Sequence, residues 1–272
     1  MKDFNKLMIG ALFISPLILS QSVSAVESEA TPDPSRSTGA IVNFIPNDGP
    51  VNPVDPEHPK KDVEPVNPDG TLPEAGTAGP LSLDFAPMLS FGKNKISTRD
   101  ETYYATAQKL LNNPSTANGG HVPTWVQVTD NRGTLKGWTL GVKQNGQFKS
   151  VTTETILTGA EISFRDAATT GSMAEFETPR PSFKESFSLN PDGMGVVENI
   201  MIAEEGQGAG TWTYYFGSGV NFMKSINPED PEGALLYRTD VIKLTVPGST
   251  NKLLEQYKTS LTWTLSSLPG NK

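Results

Sequence analysis

The chain has 272 residues, no cysteine and a formal net charge of −8. Without a thiol it can build no disulfide, zinc-thiolate site, iron–sulfur cluster or cysteine nucleophile, so packing alone must hold its fold. The length suffices for a buried core, and an acidic balance with no basic stripe excludes the electrostatic footprint of a nucleic-acid binder.

Residues 1–25 carry Lys2 and Lys6, then an apolar stretch from Leu7 to Leu19 interrupted by Pro16, then Val23-Ser24-Ala25. That order is a secretory signal peptide with a small-residue cleavage site, and the apolar run is short for a hydrocarbon layer of ~30 Å. The expected mature protein starts at Val26 and is secreted to the outside, with no membrane span. Leu268-Pro269-Gly270-Asn271-Lys272 lacks the features of a sortase signal, so attachment to the cell is expected to be non-covalent.

Residues 26–80 hold 11 of the 22 prolines, one aromatic residue (Phe44), three basic and ten acidic side chains. Such a stretch offers little apolar surface to offset its ordering entropy, so the reading is an extended or disordered acidic spacer. Pro50, Pro53, Pro56, Pro59, Pro65 and Pro68 share a three-residue period, the repeat of a polyproline II rod.

Residues 81–272 hold 17 basic and 19 acidic residues and read as β-structure. Strands are predicted at Leu81–Phe85, Thr124–Thr129, Trp138–Gln144, Glu161–Arg165, Phe183–Leu189 and Thr211–Phe216, separated by clusters such as Asn131-Arg132-Gly133 and Asn190-Pro191-Asp192-Gly193. Glu101–Leu111 is read as strand or irregular rather than helix. Ile242, Leu244 and Val246 alternate with polar residues, as do Tyr257, Leu261, Trp263 and Leu265, which suggests a C-terminal antiparallel hairpin. The expected fold class is all-β, a β-sandwich-like single module over residues 81–272.

The chain carries Trp138-Thr139-Leu140 and ends with Tyr257, Leu261-Thr262-Trp263-Thr264-Leu265 and Pro269 on fixed spacing. Together with Leu81-Ser82-Leu83-Asp84-Phe85 and the run from Val126 to Gly133, this resembles the WxL domain, a C-terminal cell-wall-binding module of surface proteins from low-GC Gram-positive bacteria. The resemblance covers about residues 79–269 and implies a peptidoglycan-binding role at the wall surface. It also implies companion surface proteins, membrane-anchored or with leucine-rich repeats, so a protein-interaction module is the alternative.

Catalytic machinery is sparse. His58 and His121 stand alone, no nucleophile elbow or phosphate-cradling glycine loop is present, and no cofactor or metal site is suggested. The chain is therefore read as non-enzymatic, with a wall hydrolase as the third reading because any two carboxylates can meet in a fold. Sugar rings stack on aromatic faces while polar groups take their hydroxyls. Trp138, Leu140, Trp263, Leu265 and Tyr257 are thus candidate binding residues, with Asp130, Asn131 and Arg132 as polar partners. Trp263 shares its predicted face with Leu261 and Leu265, so a core role competes with a contact role.

Overall fold

The computed structural model describes residues 35–111, 118–173, 179–218, 222–226 and 235–267. The expected signal peptide and Pro269 of the terminal motif lie outside the described residues. The described residues form strands and no helix. In chain order these are β1 (Pro65–Val66), β2 (Leu81–Phe85), β3 (Glu101–Thr106), β4 (Gln108–Leu110), β5 (His121–Val122) and β6 (Thr124–Asp130). Next come β7 (Trp138–Gln144), β8 (Lys149–Ser150), β9 (Glu161–Phe164), β10 (Ala167–Gly171), β11 (Ser182–Phe183) and β12 (Phe187–Ser188). The last are β13 (Val196–Ala203), β14 (Gly210–Phe216), β15 (Met223–Ile226), β16 (Leu235–Val246), β17 (Tyr257–Lys258) and β18 (Leu261–Ser266).

The strands divide among three main antiparallel sheets, β10-β14-β6-β2, β11-β13-β7-β18 and β12-β9-β16-β15, with β3 also paired to β16. Two small sheets, β1-β4-β5 and β17-β8, complete the pairing. All three main sheets contribute to one hydrophobic cluster: Val126, Trp212 and Phe216 from the first, Leu140 and Met201 from the second, Phe164 and Ile242 from the third. The all-β expectation therefore stands, but the pairing forms three sheets around one core rather than the two layers of a sandwich.

The C-terminal hairpin does not form. β16 pairs with β3, β9 and β15, while β18 pairs with β7. Both segments have the alternation of half-buried strands, and alternation fixes a strand's faces without naming its neighbour. The Phe183–Leu189 segment is likewise split. Phe183 pairs with Met201 in one sheet and Phe187 with Phe164 in another.

The spacer reading also needs correction. Residues 35–48 have no secondary structure and exposed side chains, but the chain from Asn52 to Val66 packs as a second layer on sheet β10-β14-β6-β2. Central strand β6 shows why, because all seven of its residues are buried. Val126 and Val128 face the main core, whereas Trp125 on the opposite face joins Val63, Phe85, Leu110 and Val122 in a second cluster. The fully buried Gln127 accepts a hydrogen bond from the Val54 N–H at 2.7 Å and donates to the Asn52 carbonyl at 2.9 Å. Thr213 Oγ1 donates to the Pro56 carbonyl at 2.8 Å, and Gln108 Nε2 to the Val66 carbonyl at 2.7 Å.

These side chains meet the backbone groups that the ordered segment must satisfy. The phased prolines do not make a straight rod. Val54 bridges to Asp62, and the Val63 N–H donates to the Pro53 carbonyl at 2.9 Å, so the chain doubles back between them. Buried Asp55 holds that turn by accepting from the N–H groups of Glu57 and His58. Beneath it Asp84 accepts from Ser82 (2.5 Å), Thr129 (2.6 Å) and Gln127 (3.0 Å), while burial pushes its carboxyl pKa up against those bonds.

A chain of residues 79–272 loses Val54, Val63 and Val66 from the interior and uncovers Phe85 and Trp125. Its melting temperature should fall by roughly 10 °C or more relative to residues 44–272, measured by circular dichroism. Equal melting temperatures would return residues 44–78 to the role of a spacer.

Candidate functional site

Strands β7 and β18 carry the two W-x-L motifs, and they are antiparallel neighbours. Leu140 lies opposite Leu265, Val142 opposite Trp263, and Gln144 opposite Leu261. Residues directly across a ladder point to the same face, so both motifs present one apolar surface. That surface continues onto β13 in the same sheet, where Met201 stands opposite Leu140 and Ala203 opposite Trp138.

Trp138 and Leu140 are fully buried. The Trp138 indole N–H donates to the Gly208 carbonyl at 3.0 Å. Gly208 has φ +76, and a Cβ there would sit 2.4 Å from Ala203 Cβ and 2.6 Å from the indole nitrogen. Only glycine lets the backbone approach the ring this closely. Trp138 is therefore a core residue, which removes it and Leu140 from the set of surface contacts. Trp263, on the edge strand, is half-buried and stands edge-on to Phe164 at 6.3 Å. Leu265 and Tyr257 are also half-buried against the core. The Tyr257 hydroxyl accepts from the Leu253 N–H at 2.8 Å, fixing the approach to β17.

The expected polar partners are committed within the chain. Arg132 grips buried Asp130 with two bonds, Nε to Oδ1 at 2.9 Å and Nη2 to Oδ2 at 2.7 Å, and reaches the Gly137 carbonyl at 2.8 Å. The bond to Asp130 pushes the guanidinium pKa up. The Asn131 N–H donates to the Pro80 carbonyl at 2.6 Å. The Asp130 and Arg132 side chains and the Asn131 backbone thus brace the loop that delivers the chain into β7. Trp125 and Trp212 are fully buried too, which leaves Trp263 as the one partly exposed tryptophan among the described residues.

The opposite face of the pair is open along β18, although Thr139 of β7, opposite Ser266, is buried. Ser260, Thr262, Thr264 and Ser266 alternate with the buried motif residues, and all four are exposed. Asn145 Nδ2 donates to Ser260 Oγ at 3.1 Å and Thr262 Oγ1 at 2.8 Å, and Lys143 lies opposite Thr262. Among the described residues β18 pairs on one side only, so it is a sheet edge. The hydroxyl ladder is visible in the sequence as the positions between the motif letters, which share the opposite face. At the inner end, buried Gln144 has no hydrogen-bond partner for either amide atom, a cost of about 1–3 kcal/mol where it persists.

The two W-x-L strands of this all-β domain thus lie side by side in one sheet. A family model described as "WxL domain surface cell wall-binding" matches residues 31–269. The chain belongs to that family. The match starts well upstream of residue 79, and so includes the Asn52–Val66 layer. No curated protein and no solved structure matches the chain.

The two tryptophans should differ in melting experiments. Trp138→Ala empties a fully enclosed site and should cost ~3–5 kcal/mol, whereas Trp263→Ala, at a half-exposed edge, should cost less. A larger loss for Trp263→Ala would contradict the burial described.

Proposed function

We propose that the protein is secreted by a signal peptide at residues 1–25 and attaches non-covalently to peptidoglycan through the outer face of the β7–β18 pair. The family match supports cell-wall attachment in general. The observation that carries the finer reading is the exposed ladder of Ser260, Thr262, Thr264 and Ser266 beside Lys143 and Asn145. Glycan hydroxyl and acetamido groups exchange hydrogen bonds with such side chains. In this reading the motif tryptophans and leucines set the strand's inner face, and the residues between them face the wall. We place the start of the wall-binding module near residue 50, with residues 26–49 as an acidic leader.

A second reading rests on the open edge of β18, whose unpaired backbone can accept a strand from a companion surface protein, membrane-anchored or leucine-rich-repeat. Sedimentation with purified, protein-free peptidoglycan separates the two. The wild type should pellet, and Thr262→Glu/Thr264→Glu should stay in the supernatant with its melting temperature little changed, since exposed substitutions usually alter stability by less than about 0.5 kcal/mol. A wild type that remains in the supernatant, yet pellets once a companion protein is added, would favour strand addition. Zymography on whole walls tests the remaining reading, a hydrolase.

A further inference from the structure

We propose that the groove at the end of the β7–β18 pair is an anion-binding subsite of the wall contact, an inference that rests on the wall-binding reading above. The groove has a volume of about 570 Å³ and is lined by Asn145, Lys149, Ile156, Lys258 and Ser260, with Gly146, Gln147 and Thr259 between them. It continues the hydroxyl ladder directly, since Ser260 and Asn145 belong to both.

Its chemistry is set by one cross-strand pair. β17 and β8 run antiparallel with Lys258 directly opposite Lys149, so both ammonium groups leave the same face. Like charges directly opposite one another destabilise a ladder. A sequence selected only for folding would place an acid or a threonine at one of the two positions, and local rules of this kind are broken where function requires it. Lys149 reaches Glu154 at 3.0 Å, which offsets part of its charge, but the pair is solvent-accessible and adds little stability, so an incoming anion can compete with Glu154 for the ammonium group. Asp69 lies within electrostatic reach of Lys258, which is the smallest influence on a carboxyl whose pKa is lowered chiefly by Thr71. No carboxylate lines the groove itself.

The walls between the lysines are fixed. Gln147 Nε2 donates to the Ala160 and Pro191 carbonyls at 2.8 and 2.7 Å, and its Oε1 accepts from the Phe148 N–H. Thr259 Oγ1 donates to the Gly146 carbonyl at 2.7 Å. Half-exposed Ile156 supplies an apolar floor. Two cations above an apolar surface, held in a rigid frame, suit an anionic oxygen group carried on a saccharide: the sugar's C–H face rests on Ile156 and the anion sits between the ammonium groups. The anion is a carboxylate or a phosphodiester, and both occur on wall polymers.

The test uses the full secreted chain and three wall preparations: intact, stripped of phosphodiester polymers by acid, and with carboxylates blocked as amides. Wild-type binding should weaken about tenfold from low to moderate salt and again with Lys258→Gln, while Lys149→Gln/Lys258→Gln loses most binding and its salt dependence. That double variant should melt at the same temperature as the wild type or higher, because the opposed charges are gone. Lys258→Arg should retain binding and guards against a trivial loss of folding. Loss of wild-type binding on stripping identifies the phosphodiester, and loss on amide blocking identifies the carboxylate. A double variant that binds intact walls like the wild type, or wild-type binding unaltered by either treatment, overturns the subsite but leaves wall attachment intact. Failure of the wild type to bind any preparation overturns both.

Discussion

The structure depends on the pairing of the chain's last described strand with the first W-x-L strand. Leu265 opposite Leu140 and Trp263 opposite Val142 bring residues from far apart in sequence into one ladder, and that contact places the C-terminal segment against the core. Once the register is set, every other side chain is assigned. The motif residues turn inward, and the threonines and serines turn outward. A slip of one residue would exchange the faces, burying Thr262 and Thr264 and exposing Trp263. The apolar letters therefore protect the polar surface by making any other register costly.

A similar division of labour explains the early part of the chain. A strand covered on both faces has no room for unsatisfied backbone, and β6 is covered by the core on one side and by Asn52–Val66 on the other. Gln127 lies at the junction, with its amide spanning the Val54 N–H, the Asn52 carbonyl and Asp84. Together with Thr213 and Gln108, this buried amide ties a proline-rich segment, which has its own internal turn hydrogen bonds, to the sheet. The segment's acidity is tolerated because its inward groups are valines, Pro56, Pro65 and one capped aspartate, Asp55.

The positions of most main strands could be read from the sequence, since period-two alternation and turn residues are local signals. Trp138–Gln144 was predicted with the bounds the structure shows, and Leu81–Phe85 likewise. Pairing was not readable, because the partner of β18 lies across the whole domain while its neighbour in sequence, β16, lies in another sheet. The Asn52–Val66 layer was missed for a related reason. Composition counts the apolar residues of a segment, but the groups that hold this one, Gln127, Thr213 and Gln108, lie elsewhere in the chain. Alternation also cannot tell a central strand from an edge. That distinction, rather than the motif, leaves Trp138 enclosed by β13 and β18 and Trp263 half-open. Asp130 and Arg132 looked like ligands for a sugar because they are polar residues in a turn, and only the fold shows that they bind each other.

Cross-linking tests the central pairing most directly, and the absence of cysteine makes it clean. Lys143 and Thr262 are direct cross-strand partners and both are exposed, so their Cα atoms should lie about 4.5–5.5 Å apart, within disulfide reach. The diagonal pair Lys143 and Thr264 should be about 7 Å apart or more, too far without backbone movement. The account predicts that Lys143→Cys/Thr262→Cys oxidises to an intramolecular disulfide while the protein stays folded, and that Lys143→Cys/Thr264→Cys stays reduced under the same conditions. Cross-linking of the diagonal pair alone, or of neither pair, would contradict the register from which both faces of the W-x-L strands are assigned.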